Sequence, residues 1–128
     1  VMNYISFLIG KGVNIISLSD TIGIATDDNI GKIFKILTNQ YSDVEFGAHL
    51  HVLPSEGLSK INSAFENGCR RFDGVIKGFG GCPMASEKLM GNLPTEKIIN
   101  FIESKKLVTS INPLNFESAY NFSKKVFS

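Results

Sequence analysis

Two short constellations carry residue types suited to chemistry. The first is Gly78-Phe79-Gly80-Gly81-Cys82-Pro83, which follows an apolar run. Glycines let a backbone adopt positive φ and approach a ligand closely, and proline limits how far a loop moves, so the Cys82 thiol would sit on a stiff turn. The same residues also read as a tight turn around a small buried side chain, and the loop alone does not separate the two. The second constellation is His49-Leu50-His51. On a strand, positions i and i+2 point the same way with Cα atoms about 6.8 Å apart, so both rings can reach one cation. A single histidine is more often a packing residue, whereas two on one face favour metal binding. Asn92, in Gly91-Asn92-Leu93-Pro94-Thr95-Glu96, can add a side-chain carbonyl oxygen, and reads equally well as a turn residue before a capped helix.

The elements that must position these residues follow an alternation of helix and strand. Met2, Ile5, Leu8 and Ile9 keep a helical spacing that Gly10 and Gly12 end. Residues 14–19 form a short apolar strand leading into Asp20-Thr21-Ile22-Gly23. Thr26 reads as an N-cap, Asp27 and Asp28 suit the positive end of the helix dipole, and Ile30, Ile33, Phe34 and Leu37 make the buried stripe. Residues 44–52 form the most informative strand. Val44, Phe46, Ala48 and Leu50 share one side, expected under helices, while Glu45, Gly47, His49 and His51 share the other.

After Pro54, the positions Leu58, Ile61, Ala64 and Phe65 give an amphipathic helix closed by Gly68. Residues 72–77 read as a third strand running into the cysteine loop. Thr95 is expected to cap a helix that buries Ile98, Ile99 and Ile102, and Asn112-Pro113 precedes a last helix using Phe116, Ala119, Tyr120 and Phe127. Strands separated by amphipathic helices imply parallel pairing through right-handed crossovers, in an open doubly wound sheet or in part of a closed barrel. In both, ligands gather after the strand C-termini, where Asp20, His51 and Cys82 fall, so the three are expected to converge.

Composition excludes other classes. The chain has 128 residues, 43% hydrophobic, with 13 basic and 12 acidic side chains, as expected of one soluble domain with no charge excess for nucleic acid or a membrane surface. No apolar run is long enough to span a bilayer, and the first residues do not read as a signal peptide. Two cysteines make no disulfide framework and fit a reducing compartment, with Cys69 read as a buried structural thiol. A cytoplasmic location follows, and the richness in Ile, Lys, Asn and Phe fits a bacterial source.

Taken together, Asp20-Thr21-Ile22-Gly23, His49-Leu50-His51, the glycine-cysteine loop and Gly91-Asn92-Leu93-Pro94-Thr95-Glu96 resemble, in order and spacing, the C-terminal part of hydroxymethylglutaryl-CoA lyase. The resemblance covers roughly residues 15–104, and the cysteine loop is its specific part, because related synthases and aldolases keep the histidine pair without this cysteine. It implies an α/β fold in which residues 1–128 form a single partial domain, the last three βα units and terminal helix of a TIM (β/α)8 barrel. It implies a divalent cation, Mg²⁺ or Mn²⁺, with His49, His51 and Asn92 as ligands. Cys82 would be the acid/base residue of the active-site loop, and Asp20 a substrate-side residue. The implied reaction cleaves the acyl-CoA substrate 3-hydroxy-3-methylglutaryl-CoA to acetyl-CoA and acetoacetate.

Several positions depart from the resemblance. The stretch Met84-Ala85-Ser86-Glu87-Lys88-Leu89-Met90 is one residue longer than the commoner pattern, Lys77 replaces a small residue, and Val52 stands where an acidic residue is expected. The family's first-strand acidic ligand and arginine have no counterpart, so the missing N-terminal half of the barrel is an expected partner and the isolated chain is expected to be inactive. Its open strand edges also make a homodimer an expected state. The alternatives are a related metal-dependent aldolase or acyltransferase barrel acting on another hydroxy acid, and a non-catalytic half-barrel.

Overall fold

The computed structural model describes residues 1–53, 55–81 and 90–127. In chain order the elements are α1 (Met2–Gly10), β1 (Ile15–Asp20), α2 (Asp27–Gln40), β2 (Glu45–Val52), α3 (Gly57–Glu66), β3 (Arg71–Asp73), a 3-10 turn (Ile76–Gly78), β4 (Gly91–Asn92), α4 (Thr95–Ser104) and α5 (Pro113–Val126). Among these, β1, β2 and β3 lie side by side in that order, all parallel. The expected α/β class with a parallel sheet is therefore present. Among the described residues no helix is long and apolar enough to cross a membrane.

The helix starts follow local chemistry. The Thr26 hydroxyl accepts from the Asn29 amide at 3.2 Å, Asp27 and Asp28 occupy the first turn of α2, and Lys32 pairs with Asp28 one turn on. At α5 the Asn112 side chain accepts from the Asn115 amide and Pro113 fills the first helical position, where a missing N–H costs nothing. α2 and α3 approach closely at Gly31, where a Cβ would fall 2.8 Å from Ser63 Oγ and 2.9 Å from Asn67 Nδ2. Across that contact the Ser63 hydroxyl donates to the Asp27 carbonyl.

The core lies between the sheet and the helices. Phe46, Ala48 and Leu50 of β2 join Ile30, Phe34 and Leu37 of α2, Ile61 and Ala64 of α3, and Ile98 and Phe101 of α4 in one cluster. Burying such side chains supplies roughly 1.5–3 kcal/mol each. The other side of the sheet is polar. Its register aligns Ser17 with Gly47 and Arg71, and Ser19 with His49 and Asp73. A Cβ on Gly47 would lie 2.9 Å from Ser17 Oγ and 3.0 Å from Arg71 Cδ, so the glycine makes room for both neighbours. Arg71 reaches Glu45 at 3.1 Å on the same side.

Four local expectations are corrected. The third strand ends at Asp73, because Val75 makes only a single bridge to Pro94 and the chain turns at Lys77 and Gly78, with φ of 59° and 65°. Thr95 does not cap α4: Pro94 holds that position, and the Thr95 amide donates to the Val75 carbonyl at 3.0 Å, tying the helix start to the continuation of β3. Leu58 is exposed on α3, and Lys60 is buried instead. Ala119 and Phe127 face outward, although Phe127 stacks on Phe79 with centroids 4.6 Å apart and so fastens the end of α5 to the glycine stem.

Candidate metal-binding site

The two histidines share the polar side of β2, with ring centroids 5.3 Å apart and planes crossing at 69°. Rings bound to a shared cation have centroids each about 3.2 Å from it, so a 5.3 Å separation is compatible with joint coordination. His51 is buried, and the His49 side chain is 38% exposed, which puts one ring in the protein and the other at its mouth.

Each ring is oriented through Nδ1. His51 Nδ1 lies 3.1 Å from the Asp20 carbonyl oxygen. A carbonyl only accepts, so Nδ1 carries the proton and Nε2 of the neutral ring keeps its lone pair. His49 Nδ1 lies 3.5 Å from Asp73 Oδ2, an oxygen that also accepts from Ser17 Oγ at 3.3 Å. The His49–Asp73 separation is an ion-pair distance and not a hydrogen bond, and the acceptor-only carboxylate favours a proton on His49 Nδ1 without fixing it as the carbonyl does at His51. In that state both Nε2 lone pairs are left for a ligand or cation.

Asn92 arrives from β4, which runs antiparallel to the end of β2 with Asn92 directly opposite His51. Its Nδ2 donates to the Phe79 carbonyl at 2.8 Å, so the amide nitrogen is occupied and the oxygen Oδ1 is the end left to act as a donor atom. The glycines explain how this strand gets so close to the loop. A Cβ on Gly78 would lie 2.6 Å from the Asn92 carbonyl oxygen, one on Gly81 2.5 Å from that of Met90, and one on Gly91 2.8 Å from that of Gly78. The stems 78–81 and 90–92 therefore touch backbone to backbone, as only glycine permits.

Of the residues expected to meet, His49 and His51 do so, Asn92 stands opposite His51 in the strand pairing, and Asp20 reaches His51 through its backbone carbonyl. The Asp20 carboxylate faces the other way: it accepts from the amides of Ile24 at 3.1 Å and Ala25 at 3.0 Å, and its side chain is only 8% exposed. Cys82 lies outside the described residues. Cys69 is the buried thiol expected, 0% exposed, and its burial pushes the thiol pKa up to about 11, away from the reactive range. Two residues of the site were not singled out from the sequence. Asp73 stands opposite His49, which strand register alone reveals, and Lys60 looks like a surface lysine one turn after Glu56.

Among the described residues no three His, Cys, Asp or Glu side chains are grouped to hold a metal. The donor set present is two imidazoles and an amide oxygen. Its chemistry fits a divalent cation as part of a coordination shell, because His51 Nε2 is pre-set as an acceptor by the hydrogen bond at Nδ1 and Asp73 favours the same state at His49.

The family model described as HMGL-like matches residues 1–124. The chain belongs to the HMGL-like family. Within it, the cytoplasmic 3-hydroxy-3-methylglutaryl-CoA lyase of Homo sapiens is 30% identical over 115 residues, covering 90% of this chain and 31% of that protein. The (R)-citramalyl-CoA lyase of Chloroflexus aurantiacus is 29% identical over 101 residues, covering 79% of this chain and 32% of the relative. Among solved structures, an HMG-CoA lyase from Bacillus subtilis superposes with a TM-score of 0.84 at 27% identity, over 96% of this chain and 41% of that one. The chain spans about a third of the length of the curated relatives it matches. The resemblance to hydroxymethylglutaryl-CoA lyase read from the motifs is thus borne out at the level of the HMGL-like family.

Proposed function

We propose that this chain is the closing portion of a (β/α)8 barrel whose complete active site cleaves a carbon–carbon bond in 3-hydroxy-3-methylglutaryl-CoA, releasing acetyl-CoA and acetoacetate. The observation that carries this reading is the pair His49 and His51 on one side of β2, His51 held by a hydrogen bond at Nδ1 and His49 facing Asp73, with Asn92 opposite His51. The barrel assignment draws on three parallel strands with helices on one side, a polar side opposite, and β1 and β3 at the two sheet edges. The rest of such a barrel would add the acidic ligand and the arginine that these residues do not provide.

The chemistry asks for three things. The tertiary hydroxyl must lose its proton as the adjacent carbon–carbon bond breaks, its electron pair must pass to the thioester as an enolate, and the enolate carbon must take up a proton. His49, His51 and Asn92 would hold a divalent cation such as Mg²⁺ or Mn²⁺, which when bound lowers the pKa of the substrate hydroxyl and stabilises developing negative charge. Cys82 is assigned the transfer of a proton to the enolate carbon, as general acid at the end of the glycine stem. Asp73 and the Asp20 carbonyl keep the two imidazoles facing the cation. Gly78, Gly80 and Gly81 let the stem that precedes Cys82 pack against the stretch 90–92 that carries Asn92.

The test is Cys82→Ala in the intact protein, assayed by acetoacetate release from 3-hydroxy-3-methylglutaryl-CoA. The rate is expected to fall about 10²–10⁴-fold, as for loss of a positioned acid or base. An unchanged rate removes Cys82 from the reaction, and no turnover of this thioester by the parent protein removes the substrate assignment.

A further inference from the structure

Lys60 is the one buried lysine among the described residues, 4% exposed in the middle of α3, and the proposed reaction makes no use of it. Its ammonium group meets three oxygens. Nζ donates to the Gly23 carbonyl at 3.1 Å and lies 3.4 Å from Glu56 Oε2 and 3.8 Å from Asp20 Oδ2. One hydrogen bond and two carboxylates at ion-pair distance thus surround the ammonium, as a charge held out of water requires.

All but one of these oxygens belong to the turn that follows β1, and that turn ends at the histidine. The Gly23 amide donates to the Asp20 carbonyl at 3.2 Å, and the same carbonyl accepts from His51 Nδ1 at 3.1 Å. The Asp20 carboxylate closes the other side of the turn on the amides of Ile24 and Ala25. Lys60 therefore grips the turn at both of its fixed points, the Gly23 carbonyl and the Asp20 carboxylate, and does so from the helix directly after the strand that carries His51. Gly23 has a φ of 71° and no room for a side chain, since a Cβ there would strike the Met90 sulfur and come within 3.0 Å of the His51 carbonyl. The turn thus packs on the stretch leading to Asn92 as well.

We infer that Lys60 is a positioning residue of the candidate cation site: by anchoring the Asp20–Ala25 turn to α3 it aims the Asp20 carbonyl at His51 Nδ1 and keeps His51 Nε2 as the ligand atom. The role rests on the histidine pair being a cation site, and it concerns this chain's own geometry, which can be read without any cation. His49 provides the internal control, because its Nδ1 faces Asp73 and not the turn.

The experiment is Lys60→Met in the intact protein, labelled with ¹⁵N-histidine and examined metal-free by long-range proton–nitrogen correlation near neutral pH. The expected result is that His51 passes from a single Nδ1–H tautomer to a mixture while the His49 pattern stays as in the parent. Mn²⁺ affinity measured on the same samples is expected to fall about 10-fold or more, the usual effect of removing a partner behind a ligand. A folded variant in which His51 keeps its single tautomer overturns the inference, even where stability has dropped. Should the parent protein bind no Mn²⁺, the cation reading fails while the His51 tautomer still decides the role of Lys60. Should Lys60→Met not fold, the neutral pair Lys60→Met with Asp20→Asn replaces it. That pair leaves no buried charge unpaired, since the Glu56 side chain is 42% exposed and solvated, and a single Nδ1–H tautomer at His51 in it overturns the inference equally.

Discussion

The two sides of the candidate site are built by opposite means. On one side, the turn after β1 is held by charge and hydrogen bonds: Lys60, the Asp20 carboxylate and the Asp20 carbonyl form a buried chain ending at His51. On the other, the stems 78–81 and 90–92 are held by the absence of side chains, with backbone against backbone at Gly78, Gly81 and Gly91. The first arrangement fixes the orientation of a ring and needs partners of matched charge. The second brings two stretches of backbone into contact beside Asn92 and needs only that nothing intervene.

Substitutions that respect or violate these two constructions separate them. The largest loss of stability is expected from Asp20→Ala, which leaves Lys60 buried with one fewer counter-charge and strips the Ile24 and Ala25 amides of their acceptor. Removing one member of a buried pair costs about 3–5 kcal/mol, and thermal unfolding reads it. On the glycine side, Gly78→Ala is expected to cost about 2 kcal/mol, combining the left-handed φ penalty with a Cβ that would sit 2.6 Å from the Asn92 carbonyl oxygen. Amide exchange at Asn92 should rise with it, while the His51 resonances stay in place. The smallest effect belongs to Glu56→Gln. Glu56 also faces Lys60, at 3.4 Å, but its side chain is 42% exposed, so solvent screens the pair and a loss below about 1 kcal/mol is expected. A Glu56→Gln cost equal to that of Asp20→Ala would mean that the ammonium and not the turn dominates this side.

Much of this layout was legible in the sequence where the signal is local. Period-two alternation in residues 44–52 placed Phe46, Ala48 and Leu50 in the core and both histidines opposite, and Thr26 with Asp27 and Asp28 marked the start of α2. The glycines in residues 78–81 pointed to positive φ, found at Gly78 and Gly80, and to close approach to a ligand, whereas the close approach observed is to the backbone of residues 90–92. What escaped depends on residues far apart in sequence. Lys60 beside Glu56 has the spacing of an ordinary surface pair, and only the docking of the turn from Asp20 to Gly23 buries it. Asp73 belongs to a stretch read as an apolar strand, and its partnership with His49 requires the pairing of β2 with β3. The third strand read too long because an apolar run does not announce a positive φ at a lysine, here held by the Glu96 carboxylate accepting from the Lys77 amide at 3.0 Å. Leu58 kept the helical period yet points to solvent, since α3 is rotated to bring Lys60 inward.

Pulsed electron paramagnetic resonance of Mn²⁺ bound to the intact protein, labelled with ¹⁵N-histidine, addresses the shared cation most directly. The account predicts coupling to two ring nitrogens, one lost in His49→Gln and the other in His51→Gln. Bound Mn²⁺ without histidine coupling, or coupling that survives both substitutions together, would contradict it.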